Sequence, residues 1–262
     1  MIKYFHFARI AFGDHLKNRL RMFTRYLIFL LLCWVMIAMW QLIYHSGYGP
    51  ASISVVDMGW YMAFAQMMFF LSPRLFVVID DDVRSGNIGY FLNRPMPYLW
   101  MRFAEGVGAL CANLWVYYII SLPFFYWMVG GWPSGGFICI AAVMATLVLS
   151  SVLHLMFQVC AGLSTFWTND AIFIYHSYQK FCLLLGGIYV PLFLYPDLMQ
   201  ADLLKFLPFA SLIGNPVGLI FNVNWGLLGE VILLQLFWIG AVGIGLHFLY
   251  KVCLRRVEVN GG

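Results

Sequence analysis

Long apolar runs alternate along this chain with short polar segments, and each run is close to the length of a membrane-spanning helix. Crossing the bilayer core takes about 20 mostly apolar residues. Six runs qualify: residues 26–44, 58–79, 106–129, 135–160, 171–194 and 227–250. They predict an all-α integral membrane protein with six transmembrane helices in a single domain over 1–262. Ahead of the first run, Ile2, Phe5, Phe12, Leu16, Leu20 and Phe23 fall on one helical arc. Lys3, Asp14, Lys17, Asn18 and Arg21 fall on another, while Phe7 and Arg9 sit on the wrong sides. Residues 1–25 are therefore expected to form an amphipathic helix lying in the membrane interface. Residues 195–226 are too apolar for a solvated loop and are broken by Pro208 and Pro216. They predict a re-entrant helical hairpin, which needs protein or a wet cavity to satisfy its backbone. An interfacial hairpin facing lipid is the alternative.

Composition agrees with this pattern. The chain is 63% hydrophobic and only 10% charged, against about 25% charge in a soluble domain. The net charge of +4 is not a nucleic-acid patch, because the Lys and Arg sit beside apolar runs. With the N-terminus inside, the inner segments and the inner halves of the runs hold fourteen of the 15 Lys and Arg, and the outer side only Lys205. That skew predicts that both termini lie in the cytoplasm, and the expected location is a bacterial inner membrane. No cleavable signal peptide precedes the first run, so it is expected to stay in the mature protein. The six cysteines occur singly, which suits buried thiols and no disulfide framework.

Catalytic chemistry is not evident. No GxxxxGK[ST], HExxH, CxxCH or GxSxG pattern occurs, so no enzyme activity, cofactor or metal is expected. The i,i+4 polar pair deep in a run is His154 with Gln158, one helical turn apart, with Ser150 and Ser151 nearby. Such groups either join helices by hydrogen bonds or line a translocation path. Glu230, in the first turn of the last run, either anchors that helix or acts at an outer mouth. His176 and His247 leave open a haem-binding membrane anchor of a redox complex. An ion-coupled secondary transporter is a further alternative, although paired inverted repeats and buried midplane charges are not evident.

The segment 80–104 between the second and third runs carries more information. Asp80, Asp81 and Asp82 are expected to cap a short helix that Pro95 and Pro97 end. Asp82, then Arg84-Ser85-Gly86, then Leu92-Asn93-Arg94-Pro95 resembles the inner loop of permease subunits of type-2 ABC exporters. Phe166-Trp167-Thr168-Asn169-Asp170, Gly187, Pro191-Leu192, Tyr195-Pro196, Leu207-Pro208-Phe209 and Asn215-Pro216 continue the resemblance in order. Asn87 departs from it, standing where an acidic residue is more usual.

The resemblance implies an exporter permease that works by alternating access and moves an amphiphilic or lipid-like substrate. It implies a second permease, identical or paralogous, and separate cytoplasmic ATP-binding cassette subunits as partners, besides membrane lipid. It also implies that segment 80–104 is the coupling helix seated in the ATPase. The expected contacts are Asp81, Asp82, Arg84, Gly86, Tyr90, Leu92, Arg94 and Pro95, with His154, Gln158 and Glu230 as candidates for the path.

Overall fold

A computed structural model describes residues 2–92, 96–168, 170–196 and 202–256. Every regular element among them is helical. In order they are α1 (Ile2–Lys17), α2 (Arg19–His45), α3 (Val55–Leu71), α4 (Leu75–Arg84), α5 (Asn87–Leu92), α6 (Tyr98–Val129) and α7 (Gly136–Leu163). Then follow α8 (Thr165–Thr168), α9 (Ala171–Leu185), a 3-10 turn (Leu192–Leu194), α10 (Asp202–Phe206), α11 (Pro208–Leu212), α12 (Gly214–Gly218) and α13 (Trp225–Leu254). Five helical stretches, Arg19–His45, Val55–Arg84, Tyr98–Val129, Gly136–Thr168 and Trp225–Leu254, are long and apolar enough to cross a membrane.

α3 is the centre of the bundle. It is apolar all round, and a helix with no polar stripe is stable only when buried on every side. Met58, Trp60, Tyr61, Met62, Phe64, Met67 and Met68 are all enclosed. Two of these aromatic side chains have polar tips and both find carbonyls: Trp60 Nε1 donates to Gly131 O at 2.9 Å and the Tyr61 hydroxyl to Gly187 O at 2.6 Å.

Cross-links fix the helix directions. Tyr44 donates to Ile53 O and Cys33 lies against Ala63 O, so α2 and α3 are antiparallel. Trp60 meets Gly131 and Asn113 meets Leu71, so α3 and α6 are antiparallel too. Gln235 bonds Thr146 O while Cys253 lies against Leu163 O, offsets of 89 and 90 residues. A constant offset means that α7 and α13 run parallel. α7 therefore ends at the end of the bundle bearing residues 80–104, the loop end, and α13 begins at the other, the far end. The chain between them must travel the length of the bundle.

That return differs from the expected fifth span. α9 stops after 15 residues, about 22 Å of helix against a hydrocarbon core of about 30 Å. It begins at the loop end, where Ala171 N donates to Asp80. Beyond Gly186 the chain turns through Gly187, whose φ of +76° suits glycine. It goes on without a regular helix to Tyr189, whose carbonyl accepts from Trp40 Nε1 at 3.1 Å. Apolar composition carried the reading across 171–194, but the Gly-Gly pair and Pro191 end the helix first.

Segment 207–221 then folds back into the bundle. Ala210, Leu212, Ile213, Val217, Leu219 and Ile220 are fully enclosed, and Phe209 stacks on Phe157 and Phe181. Ser211 O accepts from Gln235 Nε2 at 3.1 Å. Gln235 lies about three turns into α13, so the insertion reaches about 15 Å from the far end.

The amphipathic segment is two helices, broken at Asn18. Phe5, Leu16, Leu20 and Phe23 of the expected apolar arc are exposed. Phe7 explains its own misfit, since it packs on the buried cluster of Ile88, Tyr98 and Met101. α1 lies so close on α6 that a Cβ at Gly108 would overlap the Ala8 carbonyl. Gly108→Ala should therefore push α1 off α6, costing about 1–3 kcal/mol. Trypsin should then cut the Lys17–Arg19 junction faster than in the wild type, and equal cutting rates would contradict this packing.

Candidate functional site

The acidic triplet is where sequence and structure differ most. Asp80, Asp81 and Asp82 do not begin a helix; they lie in the last turns of α4. That is the negative end of the helix dipole, where carboxylates are disfavoured, so two of the three are held by strong partners. Asp80 accepts from Thr165 Oγ1 at 2.6 Å and Ala171 N at 3.1 Å, with Arg84 Nη1 at 3.5 Å. It thereby ties α4 to α8 and to the start of α9. Asp82 accepts two bonds from Arg102, Nε at 2.7 Å and Nη2 at 2.8 Å, and a third from the Tyr98 hydroxyl at 2.5 Å. Arg102 also donates to Glu105 at 2.6 Å, and its guanidinium lies 4.7 Å from the centre of the Phe91 ring. Planar bidentate pairing of this kind fixes orientation as well as distance.

Asp82 is thus turned inward and spent on holding α4, α5 and α6 together. Asp81, Arg84, Gly86, Asn87 and Tyr90 remain on the outer surface. Gly86 takes a left-handed φ of +75° and turns the chain between α4 and α5. Leu92 ends α5, while Arg94 and Pro95 lie outside the described residues.

The interior candidates are dispersed. His154 and Gln158 are enclosed in α7, and Glu230 is exposed on the second turn of α13, which starts earlier than expected. His154 Nδ1 lies 2.7 Å from the Tyr178 hydroxyl. Gln158 closes a break in the expected second span. That run stops at Leu71, passes Ser72-Pro73-Arg74, and resumes at Leu75. Gln158 Oε1 accepts from Leu75 N at 2.8 Å. On the other side of the break, Arg25 Nη2 donates to Phe69 O at 3.1 Å and Ser72 O at 2.7 Å. Asn113 Nδ2 donates to Leu71 O at 2.7 Å. Its Oδ1 therefore faces His15 Nε2 at 2.8 Å, so that nitrogen carries the proton.

No family model matches the chain, and a search of the curated proteins finds no relative.

The buried amides Gln66, Asn113 and Gln235 were missed in the sequence. Gln235 Nε2 donates to Thr146 O at 3.1 Å, Ser150 Oγ at 2.9 Å and Ser211 O at 3.1 Å. A scan for polar pairs at helical spacing passes over a lone Gln whose partners come from two other segments. His176 and His247 are both exposed; His176 Nδ1 lies 3.0 Å from Gln179 Oε1. The enclosed polar groups of the long helices include Gln66, His154 and Gln235, two amides and an imidazole.

The pairing of Asp82 with Arg102 makes a sharp prediction. Asp82→Ala leaves a largely buried guanidinium with half its partners, and breaking such a pair costs about 3–5 kcal/mol. Asp81→Ala, one residue away but exposed, should stay within about 0.5 kcal/mol of wild type. Thermal unfolding of the two variants in detergent measures the contrast, and equal losses would contradict it.

Proposed function

We propose that the chain is the transmembrane permease subunit of an ATP-driven exporter of the type-2 ABC class. In this reading it pairs with a second permease and moves an amphiphilic substrate outward by alternating access. ATP is bound and hydrolysed by separate cytoplasmic subunits. The loop end lies in the cytoplasm, as the skew of Lys and Arg favours, and the stretch from α9 to Tyr189 is the sixth crossing. Segment 207–221 is then the re-entrant hairpin. At its mid-bundle point the Ser211 carbonyl accepts from Gln235 Nε2 and from the Ser150 hydroxyl, which supports that insertion.

The observation that carries this reading is the mechanical form of the α4–α5 corner. Its outward face offers Asp81, Arg84 and Tyr90, a mixture of charge and aromatic surface suited to a partner cleft. Its inward face is locked to α6 by Asp82–Arg102 and to α8–α9 by Asp80. A push on such a corner passes to three helical segments at once, which a freely hinged surface helix would not do. Gly86 and Gly89 lack side chains and let a partner backbone approach.

The test is purification of the full-length chain from its native membrane in mild detergent, with the accompanying proteins identified. An ATP-binding cassette subunit is expected to accompany the wild type. Tyr90→Asp and Arg84→Glu should each weaken that association by about 2–5 kcal/mol, enough to lose it on washing, while thermal stability is kept. Arg94→Ala should do the same. The absence of any ATP-binding partner from the wild type would overturn the reading. Unchanged association in all three variants would remove this corner from the coupling path.

A further inference from the structure

A cleft opens where α1 meets the start of α2 and the side of α6. It is lined by His15, Arg21, Met22, Arg25, Asn113, Val116 and Tyr117 and has a free volume of about 30 Å³. No carboxylate lines it. Two arginines and a histidine do, and Arg25 there donates to the carbonyls of Phe69 and Ser72 and lies over the face of Phe70. The positive field of the two arginines converges on His15. Burial pushes its pKa down, the Asn113 hydrogen bond pushes it back up, and Arg25 and Arg21 push it down again. Independently, the cleft wall contains a polar group with nothing to bond. Tyr117 is 2% exposed and its hydroxyl has no hydrogen-bond partner among the described residues. A buried hydroxyl left bare costs about 1–3 kcal/mol, so a missing acceptor is the economical explanation.

We infer that this cleft holds the phosphate group of an anionic phospholipid, with Arg21, Arg25 and the Tyr117 hydroxyl as donors. Phosphate offers several acceptor oxygens to these converging donors. The surroundings favour a lipid as its source. Leu20 and Phe23, on the exposed side of the same stretch of α2, and Leu16 on α1 are 74%, 58% and 37% exposed. They give acyl chains an apolar surface beside the headgroup. The inference stands on this cleft alone and does not need the transport reading.

The test uses the full-length chain reconstituted in nanodiscs of phosphatidylcholine and phosphatidylglycerol in equal parts, released into the gas phase for native mass spectrometry. Phosphatidylglycerol should be retained in preference to phosphatidylcholine. Arg21→Gln and Tyr117→Phe should each reduce that preference about tenfold, the weight of one hydrogen bond to a charged acceptor. Arg19→Gln, two residues before Arg21 on α2 and outside the cleft, should leave it unchanged. A parallel titration in detergent with inorganic phosphate separates the two sources. Displacement of the lipid by millimolar phosphate, with the same dependence on Arg21, would assign the cleft to a free phosphate. Equal retention of the two lipids with no Arg21-dependent phosphate binding would overturn the inference, as would equal effects of Arg19→Gln and Arg21→Gln.

Discussion

A helix that stops inside an apolar bundle leaves carbonyls at its end, and amides at the start of the next, with no water to meet them. Between α3 and α4 this happens beside the most deeply buried helix of the chain, and the rest of the loop end is arranged around it. Arg25 from α2 takes the carbonyls of Phe69 and Ser72, Asn113 from α6 takes that of Leu71, and Gln158 from α7 takes the amide of Leu75. Three helices are thereby registered against one break. A fourth, α1, joins through His15, whose ring bonds the other end of Asn113. The cationic group stands at the C-terminus of α3, where the helix dipole favours it. The break also frees α4 from the axis of α3, and so lets the acidic turn face Arg102 and Thr165.

In the proposed permease this joint has a further meaning. α4 and α5 are the part a cytoplasmic ATPase touches, and α3 is the part most firmly packed. A rigid helix through 72–74 would transmit any tilt of α4 directly into the core. A capped break lets α4 change direction while α3 stays in place, as hinges at element ends do. The Asp80 and Asp82 locks then decide where the motion goes, toward α9 and α6. Of these two helices, α9 packs directly on the inserted segment 207–221, where Phe181 stacks on Phe209.

Much of this architecture was legible in the chain, because the bilayer imposes a simple rule on composition. The apolar runs located the five long helices. The finer structure escaped for identifiable reasons. Ser72-Pro73 lies in a run whose hydropathy hardly dips, so the break was read as continuous helix. The Asp80–Asp82 triplet was placed at a helix start because carboxylates favour that end. Its true place at a helix end depends on Arg102 and Thr165, 20 and 85 residues away from their partners. Phe7 was a misfit on an isolated amphipathic helix and is at home against Ile88 and Tyr98. Gln235 gave no local signal, since Thr146, Ser150 and Ser211 come to it only through the parallel packing of α7 and α13. Of the residues expected to meet an ATPase, Asp81, Arg84, Gly86 and Tyr90 lie outward, and Asp82 is committed to the interior.

The claim on which the account rests is that the break between α3 and α4 is held by side chains from neighbouring helices. Amide hydrogen exchange over residues 72–79, compared between the wild type and Gln158→Leu, measures it directly. Gln158→Leu removes the acceptor of the Leu75 amide and little else, because leucine fills a similar volume. An unsatisfied buried amide costs about 1–3 kcal/mol, so exchange across this segment should rise about tenfold to a hundredfold while α3 keeps its protection. Identical protection of residues 72–79 in both proteins would contradict the account.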